Sequence, residues 1–253
     1  MVNTKQPGTS KIASRQRPLL VSFSGVDGSG KTTQIDALLV WLREAGLKAR
    51  VLRFWDDIAV LGRMREAMSH TLFKGEKGIG SPGNPVQRRD KNVGGWYMTA
   101  SRMYLYSLDA ARLALVMATA SRKKADVVIF DRFLYDELAN LDLSTRLAQE
   151  YARMLLRVVR RPDVAFVLDA DPAQARARKP EYPLDFIQRN RGAYRTLVKL
   201  TEGVTLIEPL AVQDVTDLIL REVSKALERP QSRDVSHEQP LLHTGSNSSL
   251  TSR

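Results

Sequence analysis

The chain has 253 residues, and 39 Lys and Arg against 28 Asp and Glu give it a formal charge of +11 and a pI near 10.0. Hydrophobic residues make up 43%, enough to core one large domain or two small ones, which excludes wholesale disorder. The absence of cysteine rules out a disulfide framework, a thiolate zinc site and thiol catalysis, and no apolar run approaches the ~18 residues of a membrane span, so a cytoplasmic protein without membrane contact is expected.

Residues 1–17 hold Lys5, Lys11, Arg15 and Arg17 without an acid, and 229–253 is similarly polar with Arg229, Arg233 and Arg253 against Asp234 and Glu238. Both read as disordered tails, too poor in large apolar side chains to offset the entropy of ordering. A basic arm for nucleic acid is the competing reading. The charges are spaced and lack interleaved aromatic residues, so no nucleic-acid partner is expected.

Between the tails strand and helix alternate. Leu19–Phe23 reads as a buried strand, and Ile35, Leu38, Leu39 and Leu42 repeat at helical spacing over 31–45 before Gly46. A second strand is expected over Ala49–Phe54 and a helix over 57–72. The stretch 73–96 contains six of the fifteen glycines plus Pro82 and Pro85 and reads as a long loop, either a mobile substrate-side element or simply disordered. A long helix over about 97–122 precedes the strand Val127–Phe130. Then come a loop, a helix over about Ser144–Arg160 capped by Ser144 or Thr145, and a fourth strand within Asp163–Ala170. Asp171-Pro172 pairs an N-cap residue with proline at the first helical position. A helix at 184–200, a strand at 203–207 and a helix at 211–227 complete an α/β pattern. No hairpin signal occurs, so the expected architecture is a five-stranded parallel sheet with helices on both faces.

The strongest motif follows the first strand. Gly25-Val26-Asp27-Gly28-Ser29-Gly30-Lys31-Thr32 fits G-x-x-x-x-G-K-[ST], which arises by chance in on the order of 1% of chains this long. Between a strand and a helix, such a loop surrounds phosphate oxygens with backbone N–H groups and a helix N-terminus. Gly25, Asp27, Gly28, Ser29, Gly30, Lys31, Thr32 and Thr33 are therefore the candidate ATP-binding residues. Lys31 would reach the β- and γ-phosphates, and Thr32 would ligate Mg²⁺. An ordinary glycine-rich turn is the bland alternative. Segments that mark GTPases (Asn-Lys-x-Asp) and ABC-type ATPases (Leu-Ser-Gly-Gly-Gln) do not occur. Asp131-Arg132-Phe133 lies at the carboxyl end of the third strand, where parallel sheets bind ligands. There Asp131 can hold the metal or its waters and Arg132 can clamp a phosphate.

These residues resemble the thymidylate kinases, P-loop kinases of nucleoside monophosphates. The resemblance spans roughly 18–228 and rests on Phe23 to Gln34, Arg53-Phe54, Ala110-Ala111-Arg112, Asp131-Arg132-Phe133, and Leu168-Asp169-Ala170-Asp171-Pro172 leading into an arginine-bearing lid at 176–184. It implies a three-layer P-loop fold, transfer of the γ-phosphoryl of ATP to dTMP, and a homodimer. It also implies that Asp27 holds the substrate 3′-hydroxyl, Arg112 the base edge, and Arg53 and Arg132 the substrate phosphate, with Phe54 beside them. Gly28 stands where one branch of the family has an arginine, so the resemblance is to the other branch, in which a lid arginine, here Arg176 or Arg178, closes over the transferring group.

Some positions depart from the family pattern. Ser24 replaces an acidic residue, Leu108 an aromatic one, and Asp136 a serine, while Asn140-Leu141 replaces Tyr-Gln. Tyr104, Tyr106, Phe54 or Trp55 could supply a stacking face instead, although aromatics at helical spacing more often belong to a core. A kinase for another nucleotide or deoxynucleoside, or a non-catalytic ATP-binding regulator, is the competing functional reading.

Overall fold

Alternate residues of the first strand go to opposite faces of a single sheet. A computed structural model describes residues 17–60, 96–120 and 125–229. In it β1 (Leu19–Gly25) sends Leu19, Val21 and Phe23 to one core, and Leu20 to the other. The period-2 apolar pattern thus predicts cover on both sides, and helices supply it. The first core is closed by α1 (Lys31–Glu44) and α7 (Val212–Glu228). The second is closed by α2 (Trp96–Ala120), α3 (Leu134–Leu138), α4 (Arg146–Val158) and α6 (Leu184–Leu200). Each fully buried Leu, Ile or Phe contributes roughly 1.5–3 kcal/mol.

The remaining strands are β2 (Ala49–Arg53), β3 (Val127–Asp131), β4 (Val164–Leu168) and β5 (Val204–Ile207), and a short helix, α5 (Pro172–Arg178), follows β4. All pairings are parallel, in the order β2-β3-β1-β4-β5. Strand β1 is central, with β3 on one side and β4 on the other. The chain leaves it toward both halves of the sheet, which opens a crevice at its carboxyl end.

Local chemistry sets the element ends. Gly46, at φ 73°, closes α1 by donating its N–H to the Arg43 carbonyl at 3.0 Å. Thr145, rather than Ser144, caps α4 through Ala148 N at 3.3 Å, and Asp171 caps α5 through Gln174 N at 2.9 Å with Pro172 behind it. Two local expectations are corrected. Phe54 does not extend β2 but opens a single wide turn, Phe54–Ile58, closed by Ala59 N on the Phe54 carbonyl at 2.7 Å. The loop expected after β3 contains α3, because the Asp136 carboxylate folds back onto the Phe133 N–H at 3.0 Å and caps that turn. The expected tails, the glycine-rich loop and most of the helix expected over 57–72 lie outside the described residues.

Candidate active site

The loop from β1 into α1 turns on three left-handed glycines, Gly25, Gly28 and Gly30, with φ of 139°, 83° and 92°. A Cβ on Gly25 would lie 2.3 Å from the Leu168 carbonyl oxygen, so β4 admits no side chain there. Over Gly30, the N-cap of α1, a Cβ would meet nothing within 4 Å. That open space stands at a helix N-terminus, where free N–H groups favour an anion. Ser29 Oγ is buried without a hydrogen-bond partner among the described residues. Thr32 and Thr33 are exposed on the first turn of α1.

Lys31 is buried, and its ammonium donates to the carbonyls of Gly25 (2.7 Å) and Val26 (3.0 Å). Burial, and then the nearby Arg132 guanidinium, lower its pKa to about 8 against the pull of Asp27, Asp136 and Asp131. In this state the P-loop lysine rests on its own loop.

Arg132 follows β3 with φ 69°, the only left-handed non-glycine among the described residues. Its N–H donates to the Phe23 carbonyl at 2.9 Å, which brings it beside β1. Its guanidinium donates to Asp27 of the P-loop, and to Asp136 at 3.4 Å. Burial works against its charge, but Asp27 and Asp136 together outweigh it and hold its pKa above the ordinary arginine value. Asp27 also faces Lys179 Nζ at 3.8 Å, and Lys179 pairs with Glu181 at 3.3 Å. Asp131, at the end of β3, lies opposite Phe23 of β1 and Arg53 of β2.

At the end of β2 a second group assembles. Arg53 N donates to the Asp57 carboxylate at 2.8 Å, and Arg112 Nη2 reaches from α2 to the Asp57 carbonyl at 3.2 Å. The Arg53 backbone and the Arg112 guanidinium, 59 positions apart in the chain, therefore meet on one turn. Phe54 is fully buried and packs edge-on to Trp55, with ring centroids 6.1 Å apart, so it offers no face to a substrate. Tyr106 is also core, whereas Trp55 is half-buried and Tyr104 exposed.

No family model matches the chain. It is 25% identical over 214 residues to a "probable thymidylate kinase" of Methanosphaera stadtmanae, an alignment covering 83% of this chain and 99% of the relative. Thymidylate kinases of Bifidobacterium longum and Prochlorococcus marinus are 28% identical over 189 and 190 residues, covering 71% and 74% of this chain and 83% and 82% of theirs. Over most of its length the chain is similar to thymidylate kinases.

The side chains of 176–184, the segment expected to act as a lid, lie as follows. Arg176 is half-buried and Arg178 exposed, and Arg178 Nε turns back to the Gln174 carbonyl of its own helix at 3.3 Å. Lys179, also within 176–184 but not among the sequence candidates, faces the P-loop carboxylate Asp27. Asp136 and Tyr194, neither of them a sequence candidate, also line the cleft beside the P-loop. Asp136 was visible only as a departure from the family pattern, and Tyr194 only as one more apolar position on a helix. Tyr194 is buried and its hydroxyl lies 2.8 Å from Asp136 Oδ1 and 3.2 Å from the Gly25 carbonyl. Burial, and then the Asp136 carboxylate, push its pKa well above the ordinary tyrosine value, so it remains a proton donor.

Beside the P-loop lies a narrow cleft lined by Asp27, Arg132 and Tyr182, and next to it a cavity of about 650 Å³ between α2, the α3–α4 connection and α6. Asn140, Phe186 and Asn190 line both.

Proposed function

We propose that this chain is an ATP-dependent kinase of nucleoside monophosphates, with dTMP as the leading acceptor. The observation that carries the reading is the convergence on Asp27: Arg132 from the β3 edge and Lys179 from the lid both reach this P-loop carboxylate, beside Lys31 and the glycine cradle. Phosphoryl transfer needs two polyanions held in line with their charge neutralised, and little covalent help.

The P-loop amides and Lys31 would hold the ATP phosphates, with Lys31 exchanging two carbonyls for phosphate oxygens. The free Ser29 hydroxyl, the exposed Thr32 and the Asp131 carboxylate suit a phosphate chain with its divalent cation. Among the described residues no group of three or more His, Cys, Asp or Glu could hold a metal alone, so phosphate oxygens would complete the coordination. Thr32 and Asp131 would hold Mg²⁺, which when bound neutralises charge on the β- and γ-oxygens. Arg132 and Arg53 would take the acceptor phosphate, and Arg112 the base edge. Asp27, released from Arg132, would take the sugar hydroxyl. Arg176, Arg178 and Lys179 would close over the transferring group and exclude water.

A panel of acceptors (dTMP, dUMP, the other monophosphates and thymidine), with ADP release as readout, tests this. Turnover with dTMP is expected. Turnover only with another acceptor would keep the kinase and reject dTMP. No acceptor-dependent ADP, with ATP binding intact, would reject the kinase in favour of a nucleotide-binding regulator.

A homodimer is part of the same proposal. Helices α2 and α4 pack together, and each exposes a line of apolar side chains: Tyr97, Tyr104 and Leu115 on one, Leu147, Met154 and Val158 on the other. Such apolar lines on neighbouring helices favour burial against a second copy. A cytoplasmic location is likewise proposed. Among the described residues no helix is long and apolar enough to cross a membrane.

A further inference from the structure

One carboxylate holds the tip of Arg132 and the backbone of the residue that follows it. Asp136, with 3% of its side chain exposed, accepts the Phe133 N–H on Oδ2 at 3.0 Å, immediately after Arg132, and the Arg132 guanidinium on Oδ1 at 3.4 Å. Tyr194 donates to the same Oδ1 from α6, the helix that follows the lid. A buried carboxylate carries a desolvation cost of several kcal/mol unless donors surround it. Here three donors do, and two of them are Arg132 and its successor.

The backbone of Arg132 requires such support. Left-handed geometry at a residue with a long side chain costs roughly 1–2 kcal/mol and persists only where neighbours over-determine it. The Phe133–Asp136 bond caps α3 and sets the chain direction just after the strained residue. The other partner of the guanidinium, Asp27, already faces Lys179 and lies on the loop that receives ATP, so its bond to Arg132 is the one a phosphate would replace. Asp136 itself lies off the P-loop, on α3 beside the β3 edge.

We infer that Asp136, oriented by Tyr194, is a positioning residue that keeps the Arg132 guanidinium aimed at the acceptor phosphate when Asp27 releases it. This rests on the kinase reading above. Tyr194 Oη also lies 3.2 Å from the Gly25 carbonyl that Lys31 holds, but its one proton is given to the nearer Asp136.

The test is a double-mutant cycle on the full chain, with steady-state kinetics for dTMP, or for whichever monophosphate the panel shows to be turned over. Asp136→Asn should raise the acceptor KM about tenfold or more, since small misplacements of a binding group cost one to two orders of magnitude. ATP affinity should hold while the melting temperature falls, as for any buried carboxylate that loses its charge beside an arginine, and Tyr194→Phe should give a smaller rise in acceptor KM. In an Arg132→Lys background the effect of Asp136→Asn should shrink to less than about twofold, because residues that act as one unit are not additive. Wild-type kinetics in Asp136→Asn, or equal losses in both backgrounds, would overturn the inference. So would loss of ATP affinity in step with acceptor affinity in both Asp136→Asn and Tyr194→Phe, which marks a merely structural role. A wild-type chain without any acceptor-dependent turnover removes the kinase reading, and this inference with it.

Discussion

Gly28 of the P-loop lies directly beneath Ala175 of the lid helix: a Cβ added to the glycine would stand 2.4 Å from the Ala175 carbonyl oxygen, which is backbone and cannot swing aside. The P-loop has no side chain here because the lid helix occupies the space. Arginine at this position in one branch of the family and a lid seated this low are thus mutually exclusive in this geometry. Gly28→Ala combines that contact with the strain of φ 83°, roughly 1–2 kcal/mol for an L-residue. Both Gly28→Ala and Gly28→Arg should lower kcat by about tenfold or more by lifting the lid. Limited proteolysis at the lid should speed up in step. Undiminished turnover in Gly28→Arg would show that the lid does not work from this position.

Lys31→Ala should abolish turnover, and near-wild-type turnover would refute its assigned role. Its titration gives a second test. The folded pKa of about 8 lies below the value near 10.4 of an unfolded lysine. Between those values the unfolded chain binds the extra proton, so the stability of the ligand-free protein should rise from pH 8 toward 10.4. Phosphate favours charged Lys31, so ATP affinity should run the other way, falling above pH 8 by up to about tenfold per unit. Calorimetry in buffers of different ionisation enthalpy should show proton uptake on ATP binding near pH 8, and Lys31→Arg should lose it.

Among the lid cations, Lys179 is placed on the P-loop. Lys179→Ala should therefore reduce kcat more than Arg178→Ala, by about tenfold or more, as expected for a charge that completes a phosphoryl-transfer site. Alanine substitution of Arg176, Arg178 and Lys179 in turn, with kcat as readout, ranks them. A larger loss in Arg178→Ala would return the role to the arginine.

The β4–lid junction depends on Asp169. This buried carboxylate receives Arg191 in a fork (2.6 and 2.8 Å) and Arg195 at 2.6 Å, one turn later on α6. Burial works to raise its pKa, but the hydrogen bonds from Arg191 and Arg195 outweigh it and hold the carboxyl below the usual range. Its contribution is complete above the unfolded value near 4 and is lost as pH falls below it. Asp169→Asn should cost about 2 kcal/mol at neutral pH, less than a fully buried pair because both arginines are partly exposed. It should also flatten the acid limb of the melting curve. An unchanged melting temperature would show the fork to be dispensable.

The proposed dimer is tested by light scattering. Leu147→Glu combined with Met154→Glu should convert a mass of two chains to one with the fold retained, since a charge in an apolar interface is left unpaired. A wild-type mass of one chain would reject the dimer.

Much of this protein was legible in its sequence. Five apolar strands, the helices between them and the P-loop follow from local rules, namely period-2 and period-3.6 patterns, caps such as Asp171-Pro172, and left-handed glycines. The parallel arrangement follows from the absence of hairpin turns. Tertiary structure alone decided which charges meet. Nothing local indicates that Arg132 bonds Asp27, 105 positions away, or that Lys179 rather than Arg178 reaches the loop. Nor is it evident that Phe54 is core while Trp55 beside it is half-buried. Electrostatic partners are set by distances across the sheet edge, and burial by which helix lies above a residue. A linear pattern fixes neither, since both depend on strand order and on the turn that follows each strand.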